Sequence, residues 1–280
     1  SGTSRAGTFC PSDTSPGHSI HVLSVAFPFA PVSIDAVGGA EQVLAQLDQS
    51  LTQGGHRSTV IACLGSRVHG RLVQLPREDA PDDGTRRGLR HAEVRATIER
   101  LLHEDDSIDV VHFHGVDFAS YLPVLHRPAV VTMHLPPSFY PDHAWDSPAH
   151  RVFVSNSQHR AAQVHAAQLR HCHHGTSRES VIPNGVDVQN LELACSAARA
   201  PDLKERLGPI DDERPVVALG RVCPEKRFDV ALSAARHLDL PFVLAGQVFP
   251  YADHLRYFER DLVPRLDARR RFVGPLGFTA

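Results

Sequence analysis

IHVLSVAF, residues 20–27, together with GGAEQVLAQLDQSLTQGG, residues 38–55, is the stretch that decides the fold. The first segment is a short, nearly continuous apolar run, which is typical of a parallel strand buried on both faces. The second repeats its apolar residues at the three- and four-residue spacing of a helix. Glycines close that helix at Gly54 and Gly55. The pair therefore predicts a buried strand, a loop and a helix.

The polar side chains of this helix lie between the apolar ones, so its amphipathic pattern predicts that they face water. They are Glu41, Gln42, Gln46 and Asp48.

Further apolar runs and helical segments alternate along the next hundred residues. Strands are predicted over 59–64, 108–113, 129–133 and 151–154, and helices over 87–102 and 158–169. Alternating strands and helices indicate an α/β fold with a doubly wound parallel sheet and right-handed crossovers.

The segment VIPNGVD, residues 181–187, interrupts this alternation with turn chemistry. We therefore predict an N-terminal Rossmann-like domain over residues 18–187 and a partial C-terminal Rossmann-like domain over residues 188–280. The second domain has predicted strands at 215–219, 242–245 and 271–273, with helices at 228–238 and 251–262.

Three strands are fewer than the roughly six of a complete dinucleotide-binding sheet. The first of them would keep an unpaired apolar edge, which invites aggregation. We therefore expect the second domain to be incomplete in this chain and to be completed by a further C-terminal segment or by a partner chain.

Composition excludes several classes of protein. Lys+Arg 29 against Asp+Glu 32 gives a formal net charge of -3, so binding to nucleic acid by bulk positive charge is not expected. No apolar run approaches the roughly 20 residues of a membrane span, and residues 1–18 resemble a loose terminus rather than a signal peptide. Five cysteines without a C-x-x-C pair favour a reducing cytoplasm. The arginine-rich segment 86–100 leaves two interpretations open, a helix face in water or a face against an anionic membrane.

Histidines end two of the predicted strands. His112 and His114 are two residues apart, so their side chains share one face of a strand. His114 at the strand exit could hydrogen-bond a reacting hydroxyl or phosphate, and His134 is a secondary candidate after the next strand. A structural histidine in the core is the alternative for each of them.

Two loops have the chemistry of anion sites. Gly38 and Gly39 open the first helix, where backbone N–H groups attract phosphate, although a plain tight turn is the alternative. Arg221 and Lys226 flank the loop after the first strand of the second domain, where a bidentate fork and a point charge suit a diphosphate; the alternative is a solvated charge cluster. No metal site is expected, because the tract 171–174 (HCHH) lacks ligand spacing.

Six segments occur in an order that resembles the GT-B, family-4 type of retaining glycosyltransferases, over about residues 20–273. They are the glycine-led helix at 38–56, VVHFHG at 110–115, VVTMH at 130–134, VSNSQ at 154–158, VIPNGVD at 181–187 and LGRVCPEKRFDVAL at 219–232.

The resemblance implies two Rossmann-like domains facing a cleft, with the acceptor mainly on the first and a nucleotide sugar on the second. It places His114 beside the anomeric carbon and assigns Arg221 and Lys226 to the donor diphosphate. Gly39 would border the phosphate or the acceptor, and the backbone of Phe272, Val273 and Gly274 would contact the base. No metal or other cofactor is implied.

The expected reaction is transfer of a hexose from a nucleotide diphosphate sugar, by family habit a UDP-sugar, to a hydroxyl acceptor with retention. The acceptor classes are a sugar, a glycolipid or a small metabolite. Two alternatives stay open: a GT-B sugar-nucleotide epimerase, and a non-catalytic nucleotide-sugar-binding subunit completed by a partner chain. The family's later pair of glutamates, which contact the donor sugar and ribose, does not occur in this sequence.

Overall fold

The computed structural model describes residues 19–76, 84–169, 178–188, 191–193 and 215–276. These residues form two compact units, one ending at Gly185 and the other beginning at Val186. The predicted loose terminus, the histidine tract at 171–174 and three of the five cysteines lie outside the described residues.

Within the described part of the first unit, seven strands form one parallel sheet in the order β3-β2-β1-β4-β5-β6-β7. The strands are β1 His21–Val25, β2 Arg57–Cys63, β3 Arg71–Leu75, β4 Val110–Phe113, β5 Ala129–Met133, β6 His150–Phe153 and β7 Glu179–Val181. The strand order reverses direction between β1 and β4. The predicted doubly wound parallel sheet is thus confirmed, and this reversal is where ligands bind in open α/β sheets.

Strand β1 lies in the middle of this sheet. It pairs with β2 on one side and with β4 on the other, and all five of its residues are buried. The burial of β1 on both sides agrees with the apolar run at residues 20–27. The two strands that the sequence did not reveal, β3 and β7, are the outermost ones.

Among the residues described for this unit, three α-helices accompany the sheet: α1 Gly39–Gln53, α2 Gly84–Glu104 and α3 Asn156–Gln168. Helix α1 ends as predicted, because Gly54 caps it and Gly55 takes a left-handed φ of 78°. Helix α3 begins where the Ser155 hydroxyl accepts a hydrogen bond from the Gln158 amide at 3.1 Å.

Two carboxylates of α1 do not face water, so the prediction for Glu41 and Asp48 was wrong. Asp48 is completely buried and accepts hydrogen bonds from the Ser58 hydroxyl at 2.6 Å and from the Gly70 amide at 3.2 Å. Donors from distant segments compensate for the loss of hydration. Glu41 is also buried, at the first turn of the helix.

Helix α2 is less exposed than its arginines suggest. Val94, Ile98 and Leu101 belong to the main core cluster. Arg90 is buried too, and it pairs with Glu93 at 2.7 Å. Among the described residues, no helix combines the length and the apolar character that a membrane span requires.

The second unit has a smaller parallel sheet in the order β10-β9-β8 within its described residues. Its strands are β8 Val216–Leu219, β9 Phe242–Ala245 and β10 Arg270–Gly274, and its helices are α4 Phe228–His237 and α5 Ala252–Tyr257, the latter continued by a π-helical turn, Phe258–Leu262. The predicted order of elements is confirmed. The core packs Phe228, Leu232, Phe242 and Leu244 together.

Strand β8 has one strand neighbour, β9, among the residues that the structure describes. Val217 is 66% exposed and Leu219 is 72% exposed. Within the described residues, the first strand of the second unit is therefore an edge strand with exposed apolar side chains.

Candidate active site

Three imidazoles meet at the carboxyl ends of β4 and β5. The ring centroids of His112 and His114 are 4.1 Å apart. His114 stacks on His134, and the His114 Nδ1 and His134 Nε2 atoms share a hydrogen bond of 3.0 Å. The shared face that the sequence predicted for His112 and His114 thus also holds His134, at the point where the strand order reverses.

All three histidines are held neutral. Burial lowers the pKa of His112 and of His134 to about 4, and the His134 charge contributes to the shift of His112. For His114, burial and then the two neighbouring histidines lower the pKa well below its usual range. A neutral imidazole offers one N–H donor and one lone pair, so the cluster can both donate and accept hydrogen bonds at pH 7.

The Nε2 atom of His114 is the free position of this cluster. The side chain is 4% exposed, and Nε2 has no hydrogen-bond partner within the described residues. The His114 amide donates to the Val25 carbonyl at 2.9 Å, which fixes the residue to β1. Leaving a buried nitrogen without a partner is costly, and Nε2 is the ring atom of His114 that has no hydrogen bond to the described residues.

A second group of polar side chains, His91, Asp117 and Tyr121, lies next to Gly115. The His91 Nε2 of α2 contacts the Asp117 Oδ2 at 2.6 Å. A Cβ at position 115 would overlap the Tyr121 hydroxyl, so only glycine allows this approach. Burial, followed by the Asp117 charge, raises the pKa of Tyr121 well above its usual range.

At the start of α1, Gly38 and Gly39 differ in surroundings. A Cβ on Gly38 would overlap the carboxylate of Glu41, whereas nothing lies within 4 Å of one on Gly39. The acid that neutralises the positive end of the helix thus comes from its own first turn. Gly39 is the residue of this pair at which a Cβ position has open space around it.

The loop between β8 and α4 is anchored through its backbone. Gly220 and Gly246 have φ values of 155° and 156°, and a Cβ on Gly246 would overlap the Gly220 carbonyl. The Val222 amide donates to the Gln247 carbonyl at 2.9 Å. Arg227, with a left-handed φ of 51°, then turns the chain into α4. Glycine is needed at position 246 because a Cβ there would overlap the Gly220 backbone, and at position 220 because its φ is unfavourable to other residues.

The two predicted cations of this loop are exposed. Among the described residues, neither Arg221 nor Lys226 contacts a carboxylate as an ion pair. A hydrogen bond from the Cys223 thiol is the main cause that lowers the pKa of the Glu225 carboxyl, and the Arg221 charge adds to it. The loop therefore presents positive charge at the carboxyl end of a parallel strand and beside a helix N-terminus.

The predicted nucleobase contacts fall on β10. The Phe272 ring packs against the Phe258 ring, with centroids 4.9 Å apart, so its side chain belongs to the core. The Gly274 carbonyl accepts a hydrogen bond from the Gly246 amide at 2.9 Å. Phe272, Val273 and Gly274 lie in the strand next to the one that Gly246 follows.

Residues 37–190 match the model of the family described as Glycosyltransferase Family 4. This range is more than half of the 280 residues. The chain belongs to Glycosyltransferase Family 4. The matched range includes Gly38, Gly39, His114 and His134, and it ends before the loop of Arg221 and Lys226.

Solved glycosyltransferase structures share the fold of this family-4 chain. AviGT4, a glycosyltransferase involved in avilamycin A biosynthesis, is 21% identical with a TM-score of 0.54 over 92% of this chain. The α,α-trehalose 6-phosphate synthase of Burkholderia multivorans is 14% identical with a TM-score of 0.63, again over 92% of this chain. The lipopolysaccharide outer core galactosyltransferase WaaB is 13% identical with a TM-score of 0.53. These likenesses confirm the expected GT-B architecture.

The chain spans 65% of the length of AviGT4 and 74% of the length of the Burkholderia multivorans enzyme. No curated protein matches the sequence.

Sequence reasoning missed two features of this family-4 site. Glu41 follows Gly38 by three residues, the spacing of a capping box, and this signal could have revealed the carboxylate at the helix start. The contact between His91 and Asp117 had no such signal, because tertiary packing brings together residues 26 positions apart.

Proposed function

We propose that this protein transfers a hexose from a nucleotide diphosphate sugar to a hydroxyl acceptor with retention of configuration. The observation that carries the proposal is the β8–α4 loop, where Arg221 and Lys226 lie at a strand end and beside a helix start. Membership of Glycosyltransferase Family 4 supports the reaction class.

The cations of this loop suit a diphosphate leaving group. The Arg221 guanidinium can bind two phosphate oxygens at once, and the Lys226 ammonium supplies a compact charge. Negative charge on the diphosphate grows as its bond to the sugar breaks, so these contacts strengthen in the transition state. Protein cations then perform the neutralisation for which other enzymes use a metal ion.

The His114 Nε2 atom is assigned to the sugar beside the anomeric carbon. The carbon–oxygen bond to the diphosphate breaks, the bond to the acceptor oxygen forms, and the acceptor proton leaves with the diphosphate. A neutral His114 can hydrogen-bond a sugar hydroxyl through Nε2 without adding charge. His134 holds the other ring nitrogen of His114.

The remaining assignments concern the donor's phosphate and base and the acceptor. Gly39 borders the phosphate or the acceptor, because it has open space at the helix start. The backbone of Phe272, Val273 and Gly274 contacts the base, for which we propose uracil. The acceptor is a sugar, a glycolipid or a small metabolite.

Calorimetric titration with UDP, GDP and ADP tests the donor assignment. We expect UDP to bind most tightly and Arg221→Ala or Lys226→Ala to weaken it roughly 10-fold or more, since a charge-assisted hydrogen bond contributes about 1.5–3 kcal/mol. Arg260→Ala is the matched control, because this exposed arginine pairs with its chain neighbour Asp261 and lies outside the β8–α4 loop. Unchanged UDP affinity in both loop variants would contradict the assignment.

Sugar transfer tests the reaction itself. With a UDP-sugar and a hydroxyl acceptor, we expect Lys226→Ala and His114→Ala to lose at least about 10-fold in kcat, if each contact is made mainly in the transition state. The anomeric configuration of the product, read by NMR, tests retention. An epimerised donor in the absence of acceptor would instead identify an epimerase, and binding without turnover would identify a non-catalytic subunit.

A further inference from the structure

The second unit groups a thiol, a carboxylate and an imidazole outside the contacts assigned above. The Cys223 sulfur, a Glu225 carboxylate oxygen and a ring nitrogen of His254 all lie within 4.8 Å of one another. Cys223 and Glu225 belong to the β8–α4 loop, whereas His254 lies in α5. Two separate segments of the chain therefore converge on one point.

The histidine of this group is positioned by aromatic rings. His254 meets the Tyr251 ring edge-on at 5.2 Å and the Phe249 ring edge-on at 6.3 Å. Its Nδ1 atom is shielded from solvent and has no hydrogen-bond partner among the described residues. Burial without a hydrogen bond is unfavourable for such a nitrogen, and a bond to a ligand would compensate for the lost hydration.

The cysteine of this group is fully buried. Its thiol lies 3.5 Å from the Arg221 carbonyl and also hydrogen-bonds the Glu225 carboxylate. The sulfur therefore already lies beside the Glu225 carboxylate and within 4.8 Å of the His254 ring nitrogen.

We propose that Cys223, Glu225 and His254 bind Zn²⁺. Sulfur, nitrogen and carboxylate oxygen are the ligand types that zinc takes in proteins, and three protein ligands leave the fourth tetrahedral position open. Bond lengths of about 2.0–2.3 Å place tetrahedral ligand atoms roughly 3.3–3.8 Å apart. Because the observed separations are at most 4.8 Å, movements of about 1 Å suffice, and the exposed Glu225 side chain and the half-buried His254 can supply them.

The ion would tie the loop of Arg221 and Lys226 to helix α5. Cys223 loses its thiol proton to solvent when the bond to zinc forms, and no oxidant or reductant is involved. The site does not depend on the proposed sugar transfer. The sequence offered no sign of it, because His254 is far along the chain from Cys223 and the three residues form no recognised spacing.

Titration of the chelator-treated protein with CoCl₂ tests this site, since cobalt replaces zinc and its thiolate bond gives a near-ultraviolet charge-transfer band. We expect one cobalt ion per site, displacement by ZnCl₂, and loss of the charge-transfer band in Cys223→Ser. His254→Ala and Glu225→Gln should each weaken cobalt binding about 10-fold or more. Cys63→Ser is the matched control, because Cys63 is a second buried cysteine outside a disulfide, in the other unit.

The variant Cys172→Ser separates this site from the histidine tract at 171–174. A band that survives in Cys172→Ser and disappears in Cys223→Ser supports the proposal. A band that survives in Cys223→Ser, or unchanged cobalt affinity in both Glu225→Gln and His254→Ala, overturns it. Glu225 is exposed, so its variant keeps the test valid even if a core substitution disturbs folding.

Discussion

The first strand–loop–helix turn of each unit can be compared directly. After β1, the Glu41 carboxylate lies against Gly38 at the start of α1. After β8, Arg221 and Lys226 are exposed near the start of α4. Both helices thus have an acid in the first turn, Glu41 in α1 and Asp229 in α4, and only the second turn adds the exposed cations Arg221 and Lys226. Topology provides a position for an anion at each helix start, and the charges of the nearby side chains determine whether an anion binds there.

The strands that lead into these turns differ as well. β1 is buried between two neighbours, whereas β8 pairs with β9 and exposes Val217 and Leu219. Stability in the first unit comes from burial of the strand. In the second unit, the close backbone contact of Gly220 with Gly246 anchors the turn.

The largest effect is expected for Gly246→Ala, which would break the anchored turn of the second unit. The methyl group would overlap the Gly220 carbonyl at a φ unfavourable to any side chain, so we expect a loss of about 4 kcal/mol in the free energy of unfolding. Denaturant unfolding followed by far-ultraviolet circular dichroism measures it. Trp145, the single tryptophan, lies buried in the first unit and should report an unchanged fluorescence transition.

Gly88→Ala is the control for that experiment. Gly88 is exposed within α2 and has nothing within 4 Å of an added Cβ. Alanine should stabilise the helix by about 0.5–1 kcal/mol. Equal effects of the two substitutions would refute the backbone anchor.

A pair of leucine substitutions sharpens the contrast between the strands. Leu23→Ala in β1 removes a fully buried side chain and should cost about 3 kcal/mol. Leu219→Ala in β8 removes an exposed one and should change the free energy of unfolding by less than about 0.5 kcal/mol. Leu219→Ala should also reduce self-association, measured by light scattering. A large loss of stability from Leu219→Ala would show that β8 is covered in solution.

Acid should weaken the first unit through its neutral histidines. In the unfolded chain histidine titrates near pH 6.5, whereas folded His112 and His134 take up protons only near pH 4. Their stabilisation is therefore complete above pH 6.5 and falls by about 1 kcal/mol per pH unit for each histidine as pH decreases toward 4. Tryptophan-detected unfolding at several pH values measures the slope.

The variant His112→Gln tests the source of that slope. We expect His112→Gln to reduce the loss of unfolding free energy between pH 6.5 and 4. The variant His126→Gln, at an exposed loop position, should leave that loss unchanged. An unaltered slope in His112→Gln would show that other groups cause the acid sensitivity.

The smallest effect is expected for Glu41→Gln. The substitution removes a negative charge from the first turn of α1 and should cost about 1 kcal/mol through the helix dipole. Glu99→Gln, on the exposed face of α2, is the matched control with a change below about 0.5 kcal/mol. If both variants unfold alike, the acid at the start of α1 has no special role.

Much of the fold was predictable because buried parallel strands consist of consecutive apolar residues. β1, β4, β5 and β9 follow from such runs. β3 was not predicted, because an edge strand with exposed Arg71 and Gln74 lacks an apolar pattern. β7 has three residues, too few for any periodicity.

The candidate site was predictable only within single segments. The spacing of His112 and His114 indicated their shared face, and the loop of Arg221 and Lys226 was visible from its charges. Contacts between segments had no local signal. Helical periodicity placed Asp48 in water because it counts the residues of one helix and takes no account of donors from the neighbouring sheet.

Asp48 has a consequence for how this protein can evolve. Its carboxylate joins α1 to Ser58 in β2 and to Gly70 just before β3, and a side chain at position 70 would collide with both partners. Replacing Gly70 alone creates a steric overlap, replacing Ser58 alone removes a donor from a buried carboxylate, and replacing Asp48 alone leaves the Ser58 hydroxyl and the Gly70 amide without their acceptor. Across homologous sequences, we expect positions 48, 58 and 70 to vary together or not at all, and the outermost strand to detach wherever only one of them has changed.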